Sequence, residues 1–137
     1  MARGDTFRCS VITPERAVLE ADATFVAFPA HDGEVGILPH RAPLLFRMGI
    51  GVLRVEGAEG TRSFFVDGGF AQMVENRLTI LTEQAKSVEE IDRAAAERAL
   101  AAAEEMPAVG DAAFAARQKA LARARVQLHL KGAPALQ

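Results

Sequence analysis

The chain changes its pattern abruptly after Lys86, and this change limits the folds that it can adopt. Before it, apolar segments recur about every ten residues with turn residues between them, which predicts an all-β sandwich or barrel over residues 1–86. After it, two alanine-rich stretches predict a helical hairpin over residues 87–137. The fold class is therefore α+β. The predicted strands are Phe7–Ile12, Ala23–Phe28, Gly51–Glu56, Thr61–Val66, Phe70–Val74 and Arg77–Leu81.

Proline, glycine and asparagine mark the ends of these strands. Pro14 and Pro29 are expected to stop the first two, since proline cannot donate a hydrogen bond to a neighbouring strand. The segment Gly57–Gly60 and the pair Glu75–Asn76 are predicted hairpin turns, because both offer residues that tolerate a positive φ. Asp67-Gly68-Gly69 is interpreted as another tight turn between strands, because no Lys-Ser or Lys-Thr follows it to make a phosphate-binding loop.

The helical region opens with a predicted capping box. Ser87 can accept a hydrogen bond from an early backbone N–H of the helix, while the Glu90 side chain reaches back to the N–H of Ser87. The first helix is predicted to follow directly and to end near Met106, because Pro107 and Gly110 break it. Such a short break favours two antiparallel helices.

The second helix is strongly basic. Asp111 is predicted to cap it, and Gly132 and Pro134 are predicted to end it near Lys131. No acidic residue follows Asp111, whereas the first helix carries six acids against two arginines. The two helices are thus compatible neighbours, and the second could also bind an acidic partner. Its basic residues are Arg117, Lys119, Arg123, Arg125 and Lys131.

The apolar seam of the helical hairpin is thin. Phe114, Leu121 and Leu128 recur every seven residues, as in a coiled coil. Much of the rest is alanine, which favours helix but buries little surface. The pattern therefore predicts a helical hairpin that can detach without unfolding its helices.

The chain shows no set of residues suited to catalysis. The segment Gly33–Leu45, GEVGILPHRAPLL, constrains the backbone with glycine and proline but offers no nucleophile or base, which indicates a shaped contact surface. Cys9 is the only cysteine, so neither a disulfide within the chain nor a cysteine metal cage is expected. His31, His40 and His129 lack metal-ligand spacing. A net charge of −2 and the absence of Trp and Tyr argue against nucleic-acid binding. We expect no catalytic residue, no metal and no cofactor.

Five motifs in order resemble a known family. They are VITPERAVLEADA near the start, GEVGILPHRAPLL, GVLRV, FFVDGGFAQM and NRLTILTEQA. With the alanine-rich helices that follow, they resemble the epsilon subunit of the bacterial F-type ATP synthase. The resemblance spans about residues 7–131.

The resemblance implies a β-sandwich of about ten strands that binds the gamma subunit and the ring of membrane c subunits. It also implies a place in the rotating central stalk, where the chain couples proton-driven rotation to ATP synthesis without an active site of its own. The helical hairpin would regulate the enzyme by reaching the alpha and beta subunits of the catalytic head and blocking ATP hydrolysis. The chain would lie on the cytoplasmic face of the bacterial inner membrane, associated with the membrane only through the complex.

The resemblance also assigns roles to individual residues. It places a group of loop residues in the contact with the c ring and gamma, and four basic residues of the second helix in the contact with the head. The loop residues are His31, Asp32, Glu34, His40 and Arg41. The helix residues are Arg117, Lys119, Arg123 and Arg125.

Some members of the family bind ATP through an Ile-Asp-x-x-Arg-Ala motif. Here Ile91 and Asp92 begin the motif, but Ala95 occupies the arginine position. Arg123 matches a later basic residue, whereas Gln127 replaces a second one. We therefore predict weak or absent ATP sensing. The alternatives are an ATP-sensing regulatory module and a stand-alone β-sandwich that binds a ligand or acts as an enzyme. The sequence leaves open whether the helical hairpin inhibits hydrolysis.

Overall fold

The computed structural model describes residues 5–132, which form eight strands, a short 3₁₀ helix and two α-helices. This arrangement confirms the α+β class, with eight strands where about ten were expected. Residues 1–4 of the first predicted domain and residues 133–137 of the second, which include Pro134, lie outside the described residues. The strands are β1 (Phe7–Ile12), β2 (Ala17–Ala23), β3 (Phe25–Ala30), β4 (Gly33–Ile37), β5 (Leu44–Gly57), β6 (Gly60–Val74), β7 (Arg77–Leu81) and β8 (Ala85–Ser87). The helices are the 3₁₀ helix (Val88–Glu90), α1 (Arg93–Glu104) and α2 (Asp111–Leu130).

The strands follow one hydrogen-bonded path, β2-β1-β7-β6-β5-β3-β4, with β8 paired to β6. The long strands β5 and β6 pair with each other along nearly their whole length. The first half of β6 also pairs with β8, and its second half pairs with β7. The sheet therefore folds across the middle of β6, and the two halves enclose one core. Core residues include Phe7, Val11, Phe28, Ile37, Leu53, Phe64, Met73 and Ile80.

The fold of the sheet occurs at Gly68 and Gly69, so the prediction of a turn between two strands there is wrong. Both residues lie inside β6 and have a positive φ, +71° and +106°. A Cβ atom at Gly69 would overlap the backbone carbonyl of Leu81 on the neighbouring strand. Glycine thus allows one continuous strand to bend while β7 stays close.

β3 continues through Pro29, although a stop was predicted there. Pro29 lies opposite Glu34 of β4, but the ladder between β3 and β5 is irregular between Ala27 and Ala30. Because that interruption removes the need for a backbone N–H on the β5 side, the strand tolerates proline.

The two predicted β-hairpin turns are confirmed. The β5–β6 connection falls at Gly57–Gly60, and Glu75 and Asn76 connect β6 to β7 with φ values of +52° and +61°. Strand β1 lies between its hairpin partner β2 and the distant β7, to which it is parallel from Arg8–Arg77 to Ile12–Leu81. The last strand of this region, β8, ends at Ser87.

The capping box is present, but it caps the 3₁₀ helix rather than α1. The Ser87 N–H donates to Glu90 Oε1 at 2.9 Å. Helix α1 begins only at Arg93, with Asp92 as its N-cap accepting a hydrogen bond from the Ala95 N–H at 3.2 Å. Two successive caps separate the helical hairpin from β8, and pattern alone did not distinguish them.

The N-cap of α2 is Gly110 and not Asp111, which is the first residue of the helix. Gly110 has a φ of +98°, a conformation that aspartate rarely adopts. Asp111 still stabilises this end, because an acidic side chain in the first turn complements the helix dipole. Past the other end, Gly132 has a φ of +80°.

The predicted seam of the helical hairpin is only partly correct. Leu121 and Leu128 are buried, at 4% and 2% exposed, whereas Phe114 is 52% exposed. Helix α2 contacts α1 and also lies across β5 and β6. It covers the outer face of the sheet at Phe65, which is fully buried although it points away from the core that Phe64 and Val66 enter.

Candidate functional site

The β3–β4 turn presents three of the five predicted loop residues. His31 and Asp32 are exposed at the turn, and Glu34 follows at the start of β4. Together with Leu45 and nearby residues of β5, they line a shallow pocket of about 230 Å³. Glu34 lies 3.9 Å from the guanidinium of Arg54, a distant and exposed ion pair that leaves its carboxylate accessible.

His40 and Arg41 lie at the opposite end of β4 from His31. Five residues of strand separate the two ends, a distance of roughly 17 Å. His40 has a φ of +66° and its N–H donates to Asn76 Oδ1 at 2.7 Å, which attaches this loop to the β6–β7 turn. The structure therefore divides the predicted loop set into two groups.

An apolar outer face on β5, β6 and β7 was missed by the sequence analysis. Phe70 and Leu81 lie opposite each other on neighbouring strands and are 45% and 47% exposed. Leu45 is 66% and Val74 is 39% exposed. The Arg47 guanidinium lies 5.9 Å from the Phe70 ring centre. The alternation of these strands carried the signal, since every second residue must face outward and several of these are large and apolar.

The four basic residues of α2 are in three different environments. Lys119 and Arg125 are exposed, and neither forms an ion pair within residues 5–132. Arg117 donates to the Glu104 carbonyl at 3.3 Å, at the end of α1. Arg123 instead contacts the sheet, because its Nε donates to Asp67 Oδ2 at 2.8 Å.

The residues of the degenerate ATP motif lie together, but several have structural roles. Ala95, Asp92, Arg123 and Gln127 line one cleft of about 320 Å³ between the helices and the end of the sheet. Asp92 caps α1, and Ile91 is 3% exposed. A cap and a buried apolar side chain account for two motif positions without any ligand.

Besides the contact of Arg123 with Asp67, an ion pair joins the β1–β2 turn to the start of the helical region. Arg16 lies 3.2 Å from Glu90. The backbone N–H of Ser87, and to a lesser extent Arg16, lower the pKa of the Glu90 carboxyl below its usual value. Glu90 therefore stays ionised in this arrangement at neutral pH, as both contacts require.

The titratable groups of the described part of the chain were searched for a metal site. No group of three or more His, Cys, Asp or Glu side chains is placed there to hold a metal ion. Burial, with a smaller contribution from Glu20, raises the pKa of the Cys9 thiol to about 12. The thiol is thus neutral at physiological pH and a poor nucleophile. Between residues 5 and 132 we find no helix that is both long and apolar enough to span a membrane.

The chain is a β-sandwich followed by a helical hairpin, and it exposes loop, apolar and basic surfaces. These features define a binding module of two parts, which offers several surfaces to partner proteins. Residues 6–88 match the family described as ATP synthase, Delta/Epsilon chain, beta-sandwich domain. The ATP synthase epsilon chain of Rhodopirellula baltica is 42% identical over 123 residues, covering 90% of this chain and 96% of that one. That of Pelotomaculum thermopropionicum is 40% identical over 100 residues, 73% and 75% of the two chains.

The chain belongs to the family of bacterial F-type ATP synthase epsilon subunits, as the resemblance predicted. Proteins of this family are non-catalytic subunits of the proton-translocating complex. Two solved structures share the fold. A chain of the Euglena gracilis mitochondrial ATP synthase OSCP/F1/c-ring structure superposes with a TM-score of 0.76 at 22% identity, covering 86% of this chain and 76% of that one. A chain of the Tetrahymena thermophila mitochondrial ATP synthase central stalk/c-ring structure gives 0.63 at 16% identity, covering 89% and 93%.

Proposed function

We propose that this chain is a central-stalk rotor subunit that couples proton-driven rotation of the c ring to ATP synthesis through the gamma subunit. The observation that carries the proposal is the 42% identity to an epsilon chain over 96% of that chain's length. Its place would be the cytoplasmic face of the bacterial inner membrane, held there by the complex.

The sandwich offers a surface for each proposed rotor partner. We assign the exposed β3–β4 turn with His31, Asp32 and Glu34 to the c ring, whose loops would meet its polar side chains. The loop of His40 and Arg41 and the apolar outer face are assigned to gamma. An exposed apolar face of this kind is typical of a lasting protein contact.

The helical hairpin is proposed to inhibit ATP hydrolysis by binding the alpha and beta subunits. Support comes from the exposed Lys119 and Arg125, which suit an acidic surface. The test is ATP hydrolysis by the catalytic head with gamma, in the presence of the full chain or a chain ending after Glu90. That end retains β8 and the 3₁₀ helix.

We expect the full chain to inhibit hydrolysis and the shortened chain to bind gamma without inhibiting. Equal hydrolysis with both chains would contradict the inhibitory role. Failure of the full chain to bind gamma would contradict the rotor assignment itself.

A nucleotide-sensing role is disfavoured by the cleft between the helices. Ala95 contributes no charge there, and Asp67 already accepts a hydrogen bond from Arg123. Hydrogen bonds to charged groups contribute about 1.5–3 kcal/mol each, so the missing cations should weaken phosphate binding strongly. Calorimetric titration of the full chain should show no micromolar ATP binding, while Ala95→Arg should increase affinity. Micromolar binding by the natural chain would revive the sensing role.

A further inference from the structure

Strand β6 carries an apolar residue, Phe65, and an acidic residue, Asp67, in successive positions of its outer face. Phe64 and Val66 enter the core, so Phe65 and Asp67 point to the other side, where α2 lies. Phe65 is fully buried, and it belongs to a strand that α2 contacts. Asp67 extends the same line of contact with a charged group, its side chain only 15% exposed.

The position of the Asp67 side chain is set by the sheet. Its backbone N–H is directed to Thr82 Oγ1 at 3.2 Å and to the Gln84 carbonyl at 3.3 Å. The next residue is Gly68, where the sheet folds. The carboxylate is thus presented to α2 from a fixed backbone rather than from a loop.

The contact between Asp67 and Arg123 stands apart from the other ion pairs of residues 5–132. At 2.8 Å it is the shortest, and its carboxylate is the least exposed member of any pair. Of these pairs, it alone joins the sandwich to α1 or α2. A partly buried carboxylate that loses its cation is left poorly solvated, so this pair resists separation more than a surface pair.

Other charged groups border Arg123 but are not its partners. Lys86 and Asp92 line the same cleft. Lys86 repels a guanidinium, and the Asp92 carboxylate is used to cap α1. Asp67 is therefore the acid that holds Arg123.

We propose that the Asp67–Arg123 ion pair is a latch that holds the helical hairpin on the outer face of the β-sandwich. The latch also keeps Arg123 from any acidic partner until the helical hairpin detaches; this second effect rests on the proposed function of α2 in binding the head. Because the apolar seam of the helical hairpin is thin, this contact fixes where the helical hairpin lies on the sheet, and no ligand is needed for it.

The test is amide hydrogen exchange of the isolated full chain, compared between the natural protein, Asp67→Asn, Arg123→Gln and the double variant. A detached helical hairpin loses the support of the sheet and keeps only its thin seam, so its helices open locally more often and the α2 amides exchange faster. We expect exchange in α2 to rise about fivefold in each single variant. The double variant should exchange no faster than the faster single variant, because the same contact is removed.

Two controls remove matched charges elsewhere. Asp22→Asn breaks an exposed pair with Arg8, and Arg98→Gln removes an exposed arginine of α1 that has no ion pair within residues 5–132. Neither should change exchange in α2. Unchanged α2 exchange in either latch variant, or equal acceleration in the core strands β1 and β7, would overturn the latch.

The same variants separate the latch from the proposed function. If the latch operates and the full chain inhibits, Asp67→Asn should inhibit hydrolysis more strongly, since Arg123 is retained and released. Faster exchange with no inhibition by any chain would keep the latch and overturn the inhibitory role. Inhibition by the full chain, with unchanged exchange in the latch variants, would keep the inhibitory role and overturn the latch.

Discussion

Gly69 has a conformation and a neighbour that exclude any side chain. Its φ is +106°, and a Cβ atom would overlap the carbonyl of Leu81. Gly60 has nearly the same φ, +111°, but an added Cβ would meet nothing within 4 Å. The two glycines therefore separate the effect of backbone strain from the effect of close packing.

We predict that Gly69→Ala lowers the free energy of unfolding by about 3 kcal/mol or more, because strain and overlap add. Gly60→Ala should cost about 1–2 kcal/mol from strain alone. Urea unfolding followed by circular dichroism measures both. Equal costs would show that the sheet moves aside at Gly69 and that close packing does not determine the bend.

At the scale of elements, α2 uses only part of its predicted seam. Leu128 is buried, whereas Phe114 is half exposed. Phe114 lies nine residues before Arg123, which is roughly 14 Å along the helix toward the tip of the helical hairpin. A seven-residue repeat records which side chains share a stripe, but it does not record how far the neighbouring surface extends.

Leu128→Ala should therefore loosen the helical hairpin by about 2–3 kcal/mol, since it leaves a cavity at a buried position. Phe114→Ala should cost less than about 1 kcal/mol, since its side chain is half exposed. Hydrogen exchange in α2 provides the measurement, with the core strands as an internal reference. A larger effect at Phe114 than at Leu128 would show that the seam extends to Phe114, as the seven-residue repeat predicted.

Alternation and turn chemistry predicted β1, β7 and the Glu75–Asn76 turn correctly, but strands β2, β4 and β8 were not predicted. The predictions were wrong where the backbone path depends on residues far away in the sequence. The bend at Gly68–Gly69 depends on β7, and the passage of β3 through Pro29 depends on an irregular ladder with β5. These partners are far apart in the chain, so no local pattern contains them.

The candidate site was predictable in its residue types but not in its arrangement. The two ends of β4 separate His31 from His40, a division that a linear motif cannot express. The pairing of Arg123 with Asp67 joins positions 56 residues apart. The apolar outer face at Phe70 was predictable from the alternation of β6, in which every second residue faces outward, but it was not predicted.

At the scale of the whole molecule, the main core is built by the sandwich alone. The main core contains Cys9 and no residue of α1 or α2. Because burial raises the pKa of Cys9 to about 12, its thiol should react only when the sandwich itself opens. Detachment of the helical hairpin should leave it protected.

We predict that a thiol reagent at pH 8 labels Cys9 at least about 100-fold more slowly in the folded chain than in denaturant. A chain ending after Glu90 should be protected to a similar degree. Labelling of the shortened chain at the unfolded rate would show that the sandwich needs the helical hairpin to fold.

The parallel pairing of β1 with β7 also orders events during protein synthesis. Arg8 lies opposite Arg77, so β1 leaves the ribosome long before its second neighbour has been made. The sandwich can close only when β7 emerges, which delays folding and leaves one side of β1 unpaired in the nascent chain. Both helices are translated after that point. The growing chain can thus finish the sandwich first and receive the helical hairpin on a completed surface.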